Sequence, residues 1–351
     1  MDTPNTATPK LYIGIDIHKR SWKIKTATDL FDGTTLTCPP ESRALKSYVD
    51  KHYKGYEVYV AYEAGCCGYS DHREFTSYGW HSLVVNPGDI AKTGKSKFMK
   101  TDKIDAQLIC RELKDQRLQS ISIPEVEREH LRCLFRRRVS LVKDIRKIKT
   151  RLKMQLLYLG IKIPEGMDTA KWTHEFRNWV KKISLENSTV NYTLSSQMAQ
   201  YDFTEKQMRE VSNELRKYCR QRHKKDYYLL RSVPGIGGIV ACGILAELGD
   251  LRRFNRFKDL SGYVGFCPTI RQSGDTEKNI GISPRAKHII RSYFVEAAWQ
   301  AIRTDPVMQA YYRKHTGKDS KRIIIKVARK LLSRTLAVIK TETPYEIGIV
   351  A

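Results

Sequence analysis

LYIGID, residues 11–16, is a short apolar run ending in an acid, and the segments after it decide the fold. SWKIKTAT (21–28) alternates and can pair with it, and GTTLTC (33–38) continues the meander. ESRALKSYVDKHY (41–53) has helical spacing at Leu45, Tyr48 and Val49. EVYVAYE (57–63) reads as a buried strand, GYSDHREFTSYG (68–79) as a helix, and HSLVVNP (81–87) as a strand stopped by Pro87. A basic, Gly-containing loop, 88–100, leads to a helix over 101–114 with Thr101 as candidate N-cap.

Three antiparallel strands, a helix, then strand, helix, strand, helix is the order of an RNase H-like α/β fold, expected over residues 9–123. From Leu131 to Leu159 the apolar residues Leu134, Leu141, Ile145, Ile148, Leu152 and Leu159 keep a three-to-four spacing, a coiled-coil-like seam interrupted by Arg138 and Gln155. Residues 164–204 are polar and read as an irregular insertion, and Phe203–Arg231 as a basic helix. Together, 124–230 form an expected helical coiled-coil region. A mainly α-helical domain is expected over 231–345. It contains SVPGIG (232–237), the polar loop RQSGDTEKNIGIS (271–283), a helix PRAKHIIRSYFVEAAWQAI (284–302) and a basic amphipathic helix over 321–339. PGIG between two helices fits a helix-hairpin-helix turn that approaches a phosphate, and equally a plain helix–helix turn.

The 351 residues hold 63 Lys and Arg against 38 Asp and Glu, a formal charge of +25. Such an excess is the footprint of a polyanion partner. No apolar run is long enough to span a bilayer and the N-terminus lacks a signal-peptide core, so neither a membrane nor secretion is expected. The eight cysteines form no CxxC pair, which fits reduced thiols in a cytoplasmic protein. Between residues 130 and 153 stand ten Lys or Arg and one acid, Asp144. Like charges four apart destabilise a helix, so nucleic acid is the expected relief, with Arg136, Arg137, Lys143, Arg146, Lys147 and Arg151 as candidate contacts. Lys287 and Arg291, four apart on the expected helix, can grip one phosphate, with Arg271 and Arg285 nearby in sequence.

Asp16 and Glu63 each end a strand, and the two strands are neighbours in an RNase H-like sheet. Asp102 and Asp105, three apart at a helix start, share a face. Singly each has a structural explanation, such as a turn cap or a helix-dipole partner. Jointly they favour a carboxylate site for Mg²⁺ or Mn²⁺, the hard cations that oxygen ligands select. A pair of such ions can assist phosphodiester transfer.

YIGID (12–16), YEAGCCGY (62–69), VVNPGD (84–89) and KTDKIDA (100–106) resemble the successive motifs of the DEDD transposases of bacterial insertion sequences. SVPGIG (232–237), LAELGDLRRF (245–254), the Ser-Gly of RQSGD (271–275) and FVEAAWQA (294–301) are similar to that family's C-terminal transposase domain. The resemblance covers nearly the whole chain in order. It implies a RuvC-like domain, a coiled-coil region and a transposase domain. It maps Asp16, Glu63, Asp102 and Asp105 onto the metal-binding tetrad and Ser273 onto a catalytic serine that forms a transient phosphoserine link to DNA. It also implies donor and target DNA, a structured guide (bridge) RNA, and a homo-oligomer, dimer or tetramer, in which one subunit's tetrad completes the site around another's serine. The implied location is the bacterial cytoplasm, at the nucleoid. Two other readings stand beside it. One is a RuvC-like nuclease of branched DNA that uses water as nucleophile; the other is an inactive nucleic-acid-binding protein. Residue by residue, a Ser-Gly in a polar loop is more often a turn than a nucleophile.

Overall fold

The alternating and apolar runs near the N-terminus build one five-stranded sheet. β1 (Lys10–Asp16), β2 (Trp22–Thr28) and β3 (Asp32–Cys38) form an antiparallel meander. After α1 (Ser42–His52), β4 (Glu57–Glu63) pairs with β1 in parallel. After α2 (Ser70–Ser77), β5 (His81–Val85) pairs with β4 in parallel, and the sheet order is β3-β2-β1-β4-β5. α3 (Asp102–Lys114) completes this part. The computed structural model describes residues 8–90, 102–169, 172–185, 188–273, 276–283, 286–317 and 319–348, with backbone alone at 102, 269–273 and 276–280. Most of the loop 88–100 and the candidate cap Thr101 lie outside these residues.

The alternation along β1 assigns its two faces. Leu11, Ile13 and Ile15 pack with Val58, Val60 and Tyr62 of β4 and with Leu45, Val49 and Phe75 of α1 and α2. Tyr12 packs on the other side with Ala61, Val85 and Leu108, Ile109 and Leu113 of α3. Buried on both faces, the central strands lose the polar half of the alternation, as parallel neighbours do.

Contacts divide the chain into residues 1–123 and 124–351. The second unit is mostly helical. α4 (Val126–Tyr158), 33 residues long, runs antiparallel to α6 (Ser188–Arg222), since Glu127 meets Tyr218, Arg138 meets Ser212 and Gln155 meets Gln197. The buried stripe of α4 is Leu131, Phe135, Leu141, Ile145, Ile148, Leu152 and Leu156. Arg138 and Gln155, the two breaks in the expected seam, are its cross-helix hydrogen bonds: Arg138 Nε donates to Ser212 Oγ at 2.9 Å, and Gln197 Nε2 donates to Gln155 Oε1.

The expected irregular insertion at 164–204 is instead largely helical. It holds α5 (His174–Lys182) and the first half of α6. Its polar composition hides a sparse apolar stripe: Phe176, Val180, Leu194, Met198 and Tyr201 pack on Ile145, Ile148, Leu152 and Leu156 of α4. Thr173 caps α5 by accepting from the Phe176 amide at 3.1 Å. The helix expected over 203–231 is likewise two helices, α6 and α7 (Lys224–Ser232), broken at His223.

α8 (Gly238–Glu247), α9 (Phe257–Val264), α10 (His288–Thr304), α11 (Pro306–Arg313) and α12 (Ser320–Thr341) complete the helices. Their core includes Leu131 and Phe135 of α4, so apolar packing is continuous across residue 230. The segment expected as a polar loop forms an antiparallel hairpin of β6 (Pro268–Ser273) and β7 (Thr276–Ile282). The PGIG turn is used for packing. Gly235 has φ +79°, and a Cβ there would collide with the Ala297 carbonyl of α10. Among the described residues no helix is long and apolar enough to cross a membrane.

Candidate active site and nucleic-acid interface

Two carboxylates stand side by side at one end of the sheet. The register pairs Ile15 of β1 with Tyr62 of β4, so Asp16 and Glu63 occupy the next positions on adjacent parallel strands. The pleat sends both to the α3 face: Asp16 follows Tyr12 and Gly14 by twos, and Glu63 follows Ala61. The Asp16 side chain is about one-fifth exposed, and His18 Nε2 lies 3.3 Å from its Oδ2.

α3 approaches this end backwards. Cys110 Sγ lies 3.4 Å from the Tyr12 carbonyl, and a Cβ on Gly14 would collide with the Ala106 carbonyl and the Cys110 amide. Falling numbers along the helix therefore match rising numbers along β1. The N-terminal turn of α3, with Asp102 and Asp105, lies toward the Asp16 end of the strand. Gly14 makes the approach possible because it has no side chain, a role that a glycine inside a buried strand signals from sequence. The Asp102 side chain lies outside the described residues. Among the described residues no three His, Cys, Asp or Glu side chains are grouped closely enough to hold a metal ion. The donor chemistry of the strand-end pair is hard oxygen, which suits Mg²⁺ or Mn²⁺. Beside it, the Cys67 thiol is pushed up chiefly by burial, then by Cys66, Asp71 and Asp16, and points to the Ile17 carbonyl at 3.9 Å. Cys67 is thus a protonated packing residue at neutral pH.

Ser273 is the last residue of β6 and pairs with Thr276 at the tip of the hairpin. Its side chain and that of Arg271 lie outside the described residues, as does the whole of Arg285.

The basic residues of α4 divide into two sets. Arg128 and Arg132 donate to the Ala246 carbonyl, and Arg128 also to that of Glu247, covering the C-terminal end of α8 where carbonyls lack helical partners. Arg136 forms a bidentate pair with the Glu247 carboxylate, 2.7 and 3.1 Å. Lys149 sits over the rings of Trp172 and Tyr201, and Lys153 reaches Asp168. Burial lowers the Lys149 pKa, with Arg177 adding to the fall and Glu205 opposing it. Arg137, Lys143, Arg146, Lys147 and Arg151 are exposed on the side away from the apolar stripe, Lys147 with Asp144 3.8 Å away.

Lys287 and Arg291, the expected phosphate pair, lie one turn apart at the start of α10, the Arg291 amide donating to the Lys287 carbonyl at 3.0 Å. α10 begins at His288, so Lys287 is its N-cap. Arg291 donates to the backbone carbonyls of Gly265 and Ser283, at 3.2 and 2.8 Å, and so holds the α9 end and the hairpin exit together. Sequence reasoning missed His18, Gly14 and Glu247. The signal for Glu247 was an acid closing an otherwise apolar helix, GIVACGILAE.

Two family models match this chain. A DEDD transposase model of the IS110 type matches residues 13–159, and the model of the transposase IS116/IS110/IS902 family matches residues 227–313, together about two thirds of the chain. The chain belongs to the DEDD transposase family of bacterial insertion sequences. A transposase-named protein of Sinorhizobium fredii is 28% identical over 257 residues, 73% of this chain and 61% of that protein. A protein of Leptospira borgpetersenii named as the transposase for an insertion sequence element is 24% identical over 300 residues, covering 83% of this chain and 85% of its own length. A pilin gene-inverting protein of Moraxella bovis is 32% identical over 123 residues, 34% of this chain and 38% of that protein. This family member thus spans about three fifths of the first relative and most of the second.

Proposed function

We propose that this chain is a DNA transposase that cuts and rejoins DNA strands at an RNase H-like, RuvC-like carboxylate site. The observation that carries this reading is the placement of Asp16 and Glu63 at adjacent strand ends with the start of α3 running toward them. Asp16, Glu63, Asp102 and Asp105 would hold Mg²⁺ or Mn²⁺. When bound, the ions supply activation of the attacking oxygen and stabilisation of the leaving one. The chain's own part is to carry the carboxylates on two adjacent strand ends and on the first turn of α3, which ion binding would draw together.

Ser273 is the proposed nucleophile. Its hydroxyl oxygen forms a bond to phosphorus as the bond to a deoxyribose oxygen breaks, and that oxygen leaves with a proton. The tip of a hairpin suits this role, because it places the residue where two strands turn, at an edge of the fold. The exposed residues Arg137, Lys143, Arg146, Lys147 and Arg151 support binding of the phosphate backbone of donor and target DNA, and of a structured guide RNA. Assembly as a dimer or tetramer in the bacterial cytoplasm belongs to the same proposal.

A trapping assay tests it. Protein co-expressed with the RNA of its element's flanks is mixed with Mg²⁺ and labelled donor or target DNA, then denatured. A protein–DNA adduct that survives denaturation, and is lost in Ser273→Ala and in Asp16→Asn, is the expected result. Cleaved DNA with no adduct, unchanged by Ser273→Ala, turns the reading into a nuclease that uses water. Co-purification of no specific RNA removes the guide.

A further inference from the structure

We infer that a cavity between α4, the end of α8 and the start of α10 binds one backbone phosphate of a nucleic-acid strand, with Glu247 as the residue that positions its cations. The inference rests on the nucleic-acid reading above and assigns it a specific subsite. The cavity measures 410 Å³, within the range of about 300–1,000 Å³ usual for ligand sites. Its polar wall is Arg136, Ser140, Lys143, Glu247, Lys287 and His288, and the rest is aliphatic.

Glu247 is 4% exposed, and three cations surround its carboxylate. Arg136 pairs with it in a fork, Arg132 Nε lies 3.7 Å away and Lys287 Nζ 3.8 Å away. Burial by itself would raise its pKa, yet Arg136, Lys287 and Arg132 outweigh burial and hold it below the usual carboxylate range. It is therefore a fixed anion about which long, flexible side chains are held in place. A buried carboxylate with a single partner would need nothing more. Here Arg136, Lys143 and Lys287 bring three positive charges to the cavity wall against the one negative charge of Glu247.

The start of α10 adds to the excess. Its N-cap is Lys287, whose side chain has no acceptor atom and so does not cap the first amides of this 17-residue helix. A lysine at the positive end of a helix dipole is the reverse of the usual preference. Cations and helix end thus face the same space, an arrangement that an anion relieves. The aliphatic wall of Val139, Ala286, Ile289 and Ile290 suits the sugar beside a phosphodiester better than a free inorganic ion.

The test uses the full chain and two probes, a labelled DNA duplex of the element end and a labelled RNA of its flank. Affinity is measured against salt for the wild type, Lys143→Ala, Lys287→Ala and the double variant. Each single change should lower the slope of log affinity against log salt by about one, with an affinity loss of roughly tenfold at low salt. The double variant should also lose only about one, because a single phosphate is lost once. Arg146→Ala with Arg151→Ala, outside the cavity, should lose about two. Whichever probe shows the loss names the strand, and loss on both means that the two share the subsite. A double variant that loses about two, or nothing, overturns the cavity while wild-type binding leaves the functional reading standing. A wild type that binds neither probe overturns both.

Discussion

The two units of this chain place their candidate residues by different means. In the first, backbone geometry does it: register sets Asp16 beside Glu63, and a side-chain-free contact at Gly14 lets α3 bring its first turn toward them. In the second, side-chain partners do it. On α4, Arg128, Arg132, Arg136, Arg138, Lys149 and Lys153 are committed to carbonyls, a carboxylate, a hydroxyl or rings, while Arg137, Lys143, Arg146, Lys147 and Arg151 face outward. A run of like charge is therefore not one feature. About half of it is held by partners within the fold, and the remainder is exposed.

Gly14→Ala strikes hardest at the backbone half of this contrast. Its Cβ would strike the backbone of α3, which cannot give way as a side chain tip can. A loss of about 3 kcal/mol is expected in denaturant unfolding, with strand cleavage falling in parallel because α3 is displaced. A fully stable variant would mean that α3 is not seated on β1. Arg136→Ala has the next largest effect, because it leaves the carboxylate of Glu247 buried without its fork. About 2 kcal/mol of stability should go, read as a lowered midpoint at unchanged slope. Arg146→Ala should move stability by less than about 0.5 kcal/mol while weakening DNA binding, the opposite pattern. Equal stability losses from the two arginines would erase the distinction between the faces of α4.

A pH series probes the same pairing. The Glu247 pKa is lowered in the fold, so its pairing contributes stability above the ordinary carboxylate value and loses it as pH falls through the folded one. The stability gap between wild type and Glu247→Gln should be full at neutral pH and close below about pH 4. A gap that widens on acidification would rule out the pairing.

The same contrast separates the legible parts of the sequence from the illegible ones. Strand order, the strand-end positions of Asp16 and Glu63, and the helix start holding Asp105 come from alternation and punctuation, which are local. The helices in 164–204 were not legible, because Phe176, Leu194 and Tyr201 form a stripe too sparse to stand out until α4 is beside it. Nor was the role of Arg291, since nothing near it in sequence shows that the Gly265 and Ser283 carbonyls need a donor. The hairpin carrying Ser273 escaped for a related reason. RQS and TEKN are polar strands whose pairing with each other, rather than apolar periodicity, makes them strands.

The carboxylate site stands or falls on strand cleavage of element DNA as Mg²⁺ is titrated, in wild type and in Asp16→Asn. A metal-dependent site at Asp16 gives a saturable Mg²⁺ requirement in the wild type and a loss of ~10³-fold or more in the variant, with its melting temperature unchanged. Cleavage that persists in Asp16→Asn, or that needs no divalent cation, would place the chemistry elsewhere.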